Sequence, residues 1–563
     1  MHYRRIVFSA ILPALLLASS AYGADWSMGR FGPDQSGYSP EQIKLPLAVM
    51  WQYQTPAYEN STASAVVSKG ICYFASGTTV YAVDADTGAL KWKYPKEKAL
   101  DGAVKGTPCV YDGHVFFGAG DKNIYCLNAA TGAIQWFQAT GGSVRSAPIV
   151  SDNGALIVGS DDNSIRALDP ATGSSMWPKV FTGSDDISVG MAASPTILVA
   201  ASMDGNIYGI NLSNGKSKWS TRLQSPPGSC TPVIAGDVVM IGYSNCLMGL
   251  SIRSGSEKWR LTLPSDISAN PVVVGNEFYV ACNNNKLYSY KMTIRDPIAK
   301  WIKPVDLKLR AVTGPIVAGD KIYVMCRNGL LCAYNLDDGA LAWTYVFVNR
   351  NTDIGVEVAE VKATPTLSNG SLYVLPTNGT LFCLAPDAPD NEKPVALGMY
   401  PNAEQPISGV PPIQMSVTLT DVGSGINFSS IIMTLDGKSI PFEIDYKKSL
   451  IANKIKPATT GLQTRVLDEG KHMLAIKAKD NFGTELYQEW PFVVDPAILP
   501  PALNEELGPK SKETPQYQTG PGRNVPGMGG PGGAGGGRNM PGGPGGPGGG
   551  RDMPPPPPTM NGL

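Results

Sequence analysis

Histidine is nearly absent: three occur in 563 residues, at His2, His114 and His472. So few, so scattered, exclude an arguable Ser-His-Asp set. With no Cys-x-x-Cys pair beside them, they also argue against a zinc site. Charged residues make up only 17% of the chain, 46 basic against 47 acidic, for a net charge of −1. That balance lacks the basic excess of a nucleic-acid binder. Past the N-terminus no segment is apolar enough to span a bilayer. The nine cysteines all lie between residues 72 and 383, in apolar runs such as "GICYFAS", "IYCLN" and "LFCLA". They read as small buried core residues, with one or two bridges left open and their pairing undetermined.

What is present begins with "MHYRRIVFSAILPALLLASSAYGA". Arg4 and Arg5, the apolar stretch Ile6–Ala18 and the small-residue site Ala21-Tyr22-Gly23 compose a secretory signal. The apolar run is too short for an anchor and Pro13 interrupts it. No cysteine stands near the cleavage site, so the expected product is exported, periplasmic or extracellular, and not lipid-anchored.

Eight tryptophans recur at intervals of 40 to 44 residues: Trp51, Trp92, Trp136, Trp177, Trp219, Trp259, Trp301 and Trp343. A period so sustained marks stacked supersecondary units. Most units open on a proline ahead of an apolar run, as in "GTPCVYDG" and "TGPIVAGD", and close on a turn of the type "DADTGALKW". Between them lie short alternating runs parted by Gly/Asp/Asn turns, without helical periodicity. Four strands in about 42 residues make a propeller blade. Inner strands are expected near residues 65, 108, 148, 195, 232, 271, 315 and 365. The last unit lacks its tryptophan and the spare one is Trp51, so residues 48–55 are expected to complete the eighth blade and remove a sheet edge. Each tryptophan is expected to wedge between neighbouring blades, a structural docking role.

The motif "TTVYAVDADTGALKW" and the leader "DWSMGRFGPDQSGYSPEQI" (25–43) resemble the pyrroloquinoline-quinone (PQQ) type propeller repeat. The resemblance covers about residues 25–387 and implies an eight-bladed β-propeller. It offers two branches. Quinoprotein dehydrogenases of this type hold PQQ and Ca²⁺ in the central channel, typically with adjacent cysteines, acidic and amide Ca²⁺ ligands, a catalytic aspartate and long insertions. This chain has no Cys-Cys dipeptide and lean blades. The other branch resembles the BamB-like propeller of the outer-membrane protein assembly machinery, which binds partners without a cofactor. The favoured reading is a non-catalytic, cofactor-free scaffold with no metal, the PQQ/Ca²⁺ dehydrogenase being the alternative.

Loops that join one blade to the next gather at one mouth of the channel. Lys105, Arg145, Asp266, Arg310, Arg350, Glu357, Glu360 and Lys362 are the candidate ligand- or partner-binding residues there, forming a mixed, mildly basic funnel. From Pro394 the texture changes to about a hundred residues of period-two alternation, read as a β-sandwich. Pieces such as "DVGSGI" and "KDNFG" resemble bacterial immunoglobulin-like modules. Asp421 and Asp480 in them hint at Ca²⁺, but are read as turn formers. From residue 497 glycine and proline dominate and disorder is expected.

The expectation is therefore an all-β chain: signal peptide 1–23, propeller 24–393, immunoglobulin-like sandwich 394–496 and disordered tail 497–563. It is expected to be a monomer that binds a protein or an envelope polymer.

Overall fold

The computed structural model describes residues 25–56, 62–187, 190–228, 230–293, 295–351, 355–402, 406–456 and 466–500, without the side chains of 349–357. The expected signal and nearly all of the Gly/Pro tail lie outside the described residues. The chain divides into Met1–Pro509 and Lys510–Leu563, and every described residue belongs to the first unit.

Every described element is a strand. Eight sheets of four or five strands follow one another along the chain, antiparallel except where Tyr38–Ser39 of the leader adds parallel to the inner strand of the seventh. The second blade is typical: Cys109–Tyr111, His114–Gly118, Asn123–Asn128 and Ile134–Ala139. Middle strands are buried on both faces, as in Val238–Tyr243. Outer strands such as Glu257–Thr262 bury few positions, Trp259 among them. That difference explains why middle strands read as unbroken apolar runs and outer strands as alternating ones.

The eighth sheet joins Thr366–Ser368, Ser371–Val374 and Thr380–Ala385 to Ala48–Gln54, which pairs antiparallel with the last of them. The chain thus closes its ring with a strand from near its start. Across the closure, Thr366 Oγ1 donates to the Ala65 carbonyl of the first blade at 2.6 Å. One inner strand departs from expectation. In the fourth blade it is Met191–Ala193, ahead of Pro195 rather than after it; Pro195 sits in the turn that follows.

The repeated turn has a mechanical explanation. Asn128 Oδ1 accepts from Ala130 N, Thr131 N and Thr131 Oγ1 at 3.0–3.1 Å, fastening the loop from inside. Gly132 follows with φ +69°, a conformation that only glycine adopts without strain. Its bare face lies on the Trp92 indole of the preceding blade, where a Cβ would come within 2.6 Å. The Trp92 Nε1 donates to the Ala129 carbonyl of the same turn at 2.9 Å. Equivalent bonds run from Trp51 to Ala85, Trp136 to Pro170, Trp177 to Leu212, Trp219 to Ile252 and Trp301 to Asp337, at 2.8–3.0 Å.

In six blades the strand register slips just before the tryptophan, leaving the preceding residue unpaired. Such bulges re-aim a side chain. Opposite the indole stands a small residue: Ala82, Cys126, Gly209, Gly249, Ala333 or Cys383. Two cysteines are thereby explained as small packing residues. All nine are buried and free.

Beyond the ring, two four-stranded sheets enclose a separate core that includes Val417, Met433, Ile476 and Phe492. One runs Val395–Tyr400, Ile413–Thr420, Leu450–Ile455, Glu443–Asp445. The other runs Lys438–Ile440, Ile426–Leu435, Gly470–Asp480, Glu485–Val494. This sandwich packs directly on the propeller. Tyr345 of the seventh blade donates its hydroxyl to the Val422 carbonyl at 2.8 Å, and Asn481 Nδ2 donates to the Thr344 carbonyl at 3.3 Å. Val49 N on the borrowed strand donates to the Gly423 carbonyl at 3.1 Å.

Candidate functional site: the channel mouth

Inner strands of a propeller face the axis with unpaired N–H groups, which need partners. Here the leader supplies them. Carbonyls of Trp26, Ser27, Pro33, Asp34, Ser36 and Gly37 accept from Val67, Val110, Ala193, Ile234, Val273 and Val317 in six different blades, at 2.7–2.9 Å. The leader therefore runs round the inside of the ring, bonded to one inner strand after another.

From the leader the buried Arg30 reaches the start of the inner strands of the sixth and seventh blades. Its Nε donates to the Gln35 carbonyl at 3.1 Å, Nη1 to Pro315 at 3.5 Å and Nη2 to Pro271. A Cβ on Gly314 would lie 2.3 Å from Nη1, so the loop is cut to fit the guanidinium. Burial lowers the Arg30 pKa to about 10, partly offset by Asp34. It stays charged at neutral pH, with carbonyl oxygens as its neutralising shell.

At the mouth one bond recurs between loops. The carbonyl five positions before the inner-strand proline accepts an N–H from the loop after the second strand. Examples are Ala103 from Gly120, Ser143 from Asp161, Asp266 from Asn283, Arg310 from Arg327 and Glu360 from Thr377, at 2.8–3.0 Å. Asp266, Arg310 and Glu360 thus share one register. Lys105, Arg145 and Lys362 share another, two residues later, on the second, third and eighth blades. Arg350 and Glu357 belong to a hairpin, Val348–Asn351 with Gly355–Val358, and their side chains lie outside the described residues.

Two of the cations are paired. Arg145 Nε meets Asp161 Oδ2 at 2.6 Å and its Nη2 meets Asp186 at 3.5 Å. Lys362 pairs with Glu360 at 3.4 Å. Lys105 is exposed and has no ion pair among the described residues. Burial, together with Asp161 and Asp185, raises the Asp186 pKa against the pull of Arg145. In the third and fourth blades the aspartates Asp161, Asp162, Asp186 and Asp204 hold Arg145, Arg166 and Arg222 in ion pairs, so this sector is of mixed charge and not basic. The missed acids had a signal: Asp121, Asp161 and Asp204 each precede a third strand, in "AGDKN", "GSDDN" and "SMDGN".

The mouth does not fit PQQ with Ca²⁺. The Arg30 donors are already engaged by backbone carbonyls, and the nine cysteines are buried, with no two adjacent in sequence. Among the described residues, the one cluster of three acids able to share a cation is Asp390, Asp421 and Asp480, on the sandwich side of the chain. His114 and His472 lie one in the propeller and one in the sandwich. At the other end of the ring a groove of about 420 Å³ runs between Asp25, Ser27, Lys69, Tyr111 and Asn128. No helix among the described residues is long and apolar enough to cross a membrane.

Comparison with known proteins places these features. The sequence profile of the PQQ-repeat family described as "Outer membrane protein assembly factor BamB" matches residues 76–245 and 224–399. Outer membrane protein assembly factor BamB of Escherichia coli (strain K12) is 28% identical over 330 residues, covering 54% of this chain and 79% of that protein. Quinoprotein ethanol dehydrogenase of Pseudomonas aeruginosa is 26% identical over 144 residues, covering 24% of this chain and 23% of the enzyme. The crystal structure of quinohemoprotein alcohol dehydrogenase from Comamonas testosteroni gives a TM-score of 0.50 at 14% identity, over 67% of this chain and 83% of that one. This last likeness is one of fold.

Proposed function

Because the chain belongs to the PQQ-repeat family described as outer membrane protein assembly factor BamB, we propose that it is an exported, non-catalytic binding platform of the cell envelope whose partner is a protein. The carrying observation is the leader inside the ring. With the leader bonded to the inner strands of six blades and Arg30 buried among their carbonyls, the inside of the ring is occupied by the chain itself, and recognition falls to the loops at the mouth. Alternating charges around that mouth, Lys105, Arg145 with Asp161 and Asp186, and Lys362 with Glu360, suit a polypeptide of mixed charge better than a small anion. Mouth loops are where a rigid propeller displays recognition residues.

The sandwich is read as an immunoglobulin-like module that extends the platform. In chain order its sheets run first-second-sixth-fifth and fourth-third-seventh-eighth. These correspond to A-B-E-D and C′-C-F-G in that fold's lettering.

The test is site-specific photocrosslinking in the native cell. A crosslinker at Lys105 should capture one discrete protein, and reversing charge at Lys362 should reduce that adduct. A crosslinker at Asp112, on the opposite end of the ring, should not capture it. Equal capture from both ends would defeat the reading. The dehydrogenase alternative predicts dye reduction with alcohols after PQQ and Ca²⁺ are added; the expected result is none.

A further inference from the structure

Three aspartates from distant parts of the chain meet where the propeller hands over to the sandwich. Asp390 lies in the linker after the last blade, Asp421 follows the strand Ile413–Thr420, and Asp480 ends the strand Gly470–Asp480. One oxygen of each lies within 4.8 Å of the others. Asp421 is 3% exposed and Asp480 1%.

Backbone N–H groups hold part of each carboxylate in place. Gly425 N donates to Asp421 Oδ2 at 2.7 Å. Phe482 N and Thr484 N donate to Asp480 Oδ1 at 2.9 and 2.8 Å. Ser424 N donates to Asp390 Oδ2 at 2.8 Å. The remaining oxygens, Asp421 Oδ1 and Asp480 Oδ2, are buried with no hydrogen-bond partner, and so is Ser424 Oγ. Buried polar atoms are seldom left this way, because each forfeits its solvation. The charged neighbours that act most on Asp421 are carboxylates, Asp390, Asp480 and Glu392. Gly423 completes the arrangement: a Cβ there would lie 2.0 Å from Asp390 Oδ1, so the loop admits this carboxylate only as glycine.

We infer that Asp390, Asp421 and Asp480, with the Ser424 hydroxyl beside them, form a Ca²⁺ site that fastens the sandwich to the propeller. All the available donors are hard oxygens, and Ca²⁺ accepts six to eight of them in a flexible shell that water completes. A single proton relieves one carboxylate, whereas a divalent cation relieves all three. The same loop already reaches the ring through Val422 and Gly423, so filling the site stiffens the attachment as well as the sandwich.

The test uses the full chain with Ca²⁺ alone as probe. After EGTA treatment, calorimetric titration should show one Ca²⁺ binding with a Kd of about 10⁻³ M or tighter, the range of extracellular modules. Saturating Ca²⁺ should raise the sandwich's thermal transition by roughly 5 °C and slow proteolysis of the linker 386–394. Asp421→Asn and Asp480→Asn should abolish both the heat and the shift. In EGTA they should be at least as stable as the parent, since each removes a buried like charge. Asp390→Asn, at the half-buried position, gives a third variant. A parent protein that shows no calcium heat and no shift, or Asn variants that keep the shift, would overturn the site.

Discussion

The propeller makes one contact over and over, whereas the sandwich makes each of its contacts once. Six joints between blades share an indole N–H on a turn carbonyl. Two do not, and they sit where the following blade has lost the glycine of that turn. After Trp259 the next blade reads "KMTIRDP", and the indole stacks on Phe278 at 5.9 Å instead. After Trp343 the next blade reads "LAPDAPD"; that indole stacks on Tyr345, and its buried N–H has no partner. The lesson is that tryptophan and glycine form one device split between two blades: when the glycine half decays, the indole keeps its packing and loses its bond. In the sandwich the Trp490 indole donates to the Pro401 carbonyl at 2.9 Å, a contact that no neighbour repeats.

The comparison is broken hardest by removing an indole. Trp92→Ala should cost about 3–5 kcal/mol, read by urea unfolding, because it empties a joint and leaves the Ala129 carbonyl with the Tyr73 hydroxyl alone. Attacking the other half of the device should cost less. Gly132→Ala places a Cβ 2.6 Å from the Trp92 ring at φ +69° and should cost about 2–3 kcal/mol from backbone strain and overpacking together. Gly236→Ala is the control: φ is +59° there but nothing lies within 4 Å. Its cost should stay near 1 kcal/mol, from strain alone. Equal costs at the two glycines would mean that the indole contact contributes nothing.

How much of this was legible in advance depends on whether a feature repeats. The blade period, the count of eight and the strand lent by Ala48–Gln54 could be read because each is a departure from, or a match to, a pattern written many times. The same register brought Lys105, Arg145 and Lys362 to equivalent positions. Pro195 misled because one proline sits in a turn where its counterparts open strands. The leader's seating was invisible for a physical reason: it is built of backbone carbonyls on backbone N–H groups, which leave no trace in side-chain identity. Asp390 could not be joined to Asp421 and Asp480 either, since only the docking of the sandwich on the ring brings the linker to those turns. Asp161 and Asp186 were not singled out, because their hold on Arg145 is a tertiary fact.

The two kinds of joint can be sharpened with a smaller cut. Trp92→Phe and Trp343→Phe trim the same ring, but only the first removes a formed hydrogen bond. Trp92→Phe should therefore cost about 1 kcal/mol more than Trp343→Phe. Equal losses would show that the indole bond adds nothing to packing.

The smallest effect separates the domains by pH. The indole joints carry turn aspartates such as Asp84 and Asp169, whose pKa values are lowered by their Lys91 and Thr172 hydrogen bonds respectively, so the joints' contribution should not change between mildly acidic and mildly alkaline solution. The sandwich differs: His472 Nδ1 pairs with Asp436 Oδ2 at 2.7 Å, Nε2 faces the Asp468 carbonyl at 2.9 Å, and the ring stacks on Phe492. Burial pulls the His472 pKa down, but Asp436 and Asp468 outweigh it and the net shift is upward. Burial likewise opposes Asp436, yet His472 and the Met473 N–H leave its pKa lowered. A raised histidine stabilises fully below its unfolded value and loses that contribution as pH climbs through the folded one. A lowered aspartate contributes above its unfolded value and loses the contribution as pH falls. The pair is therefore at full strength between about pH 4 and 6.5, the ordinary values of the two groups. With the Asp436 side chain 46% exposed, solvent screening holds the pair to about 0.5 kcal/mol. His472→Gln should lower the sandwich's stability by that amount near pH ~5.5 and by less near pH ~8. A loss that is the same at both would assign His472 to packing on Phe492 rather than to charge.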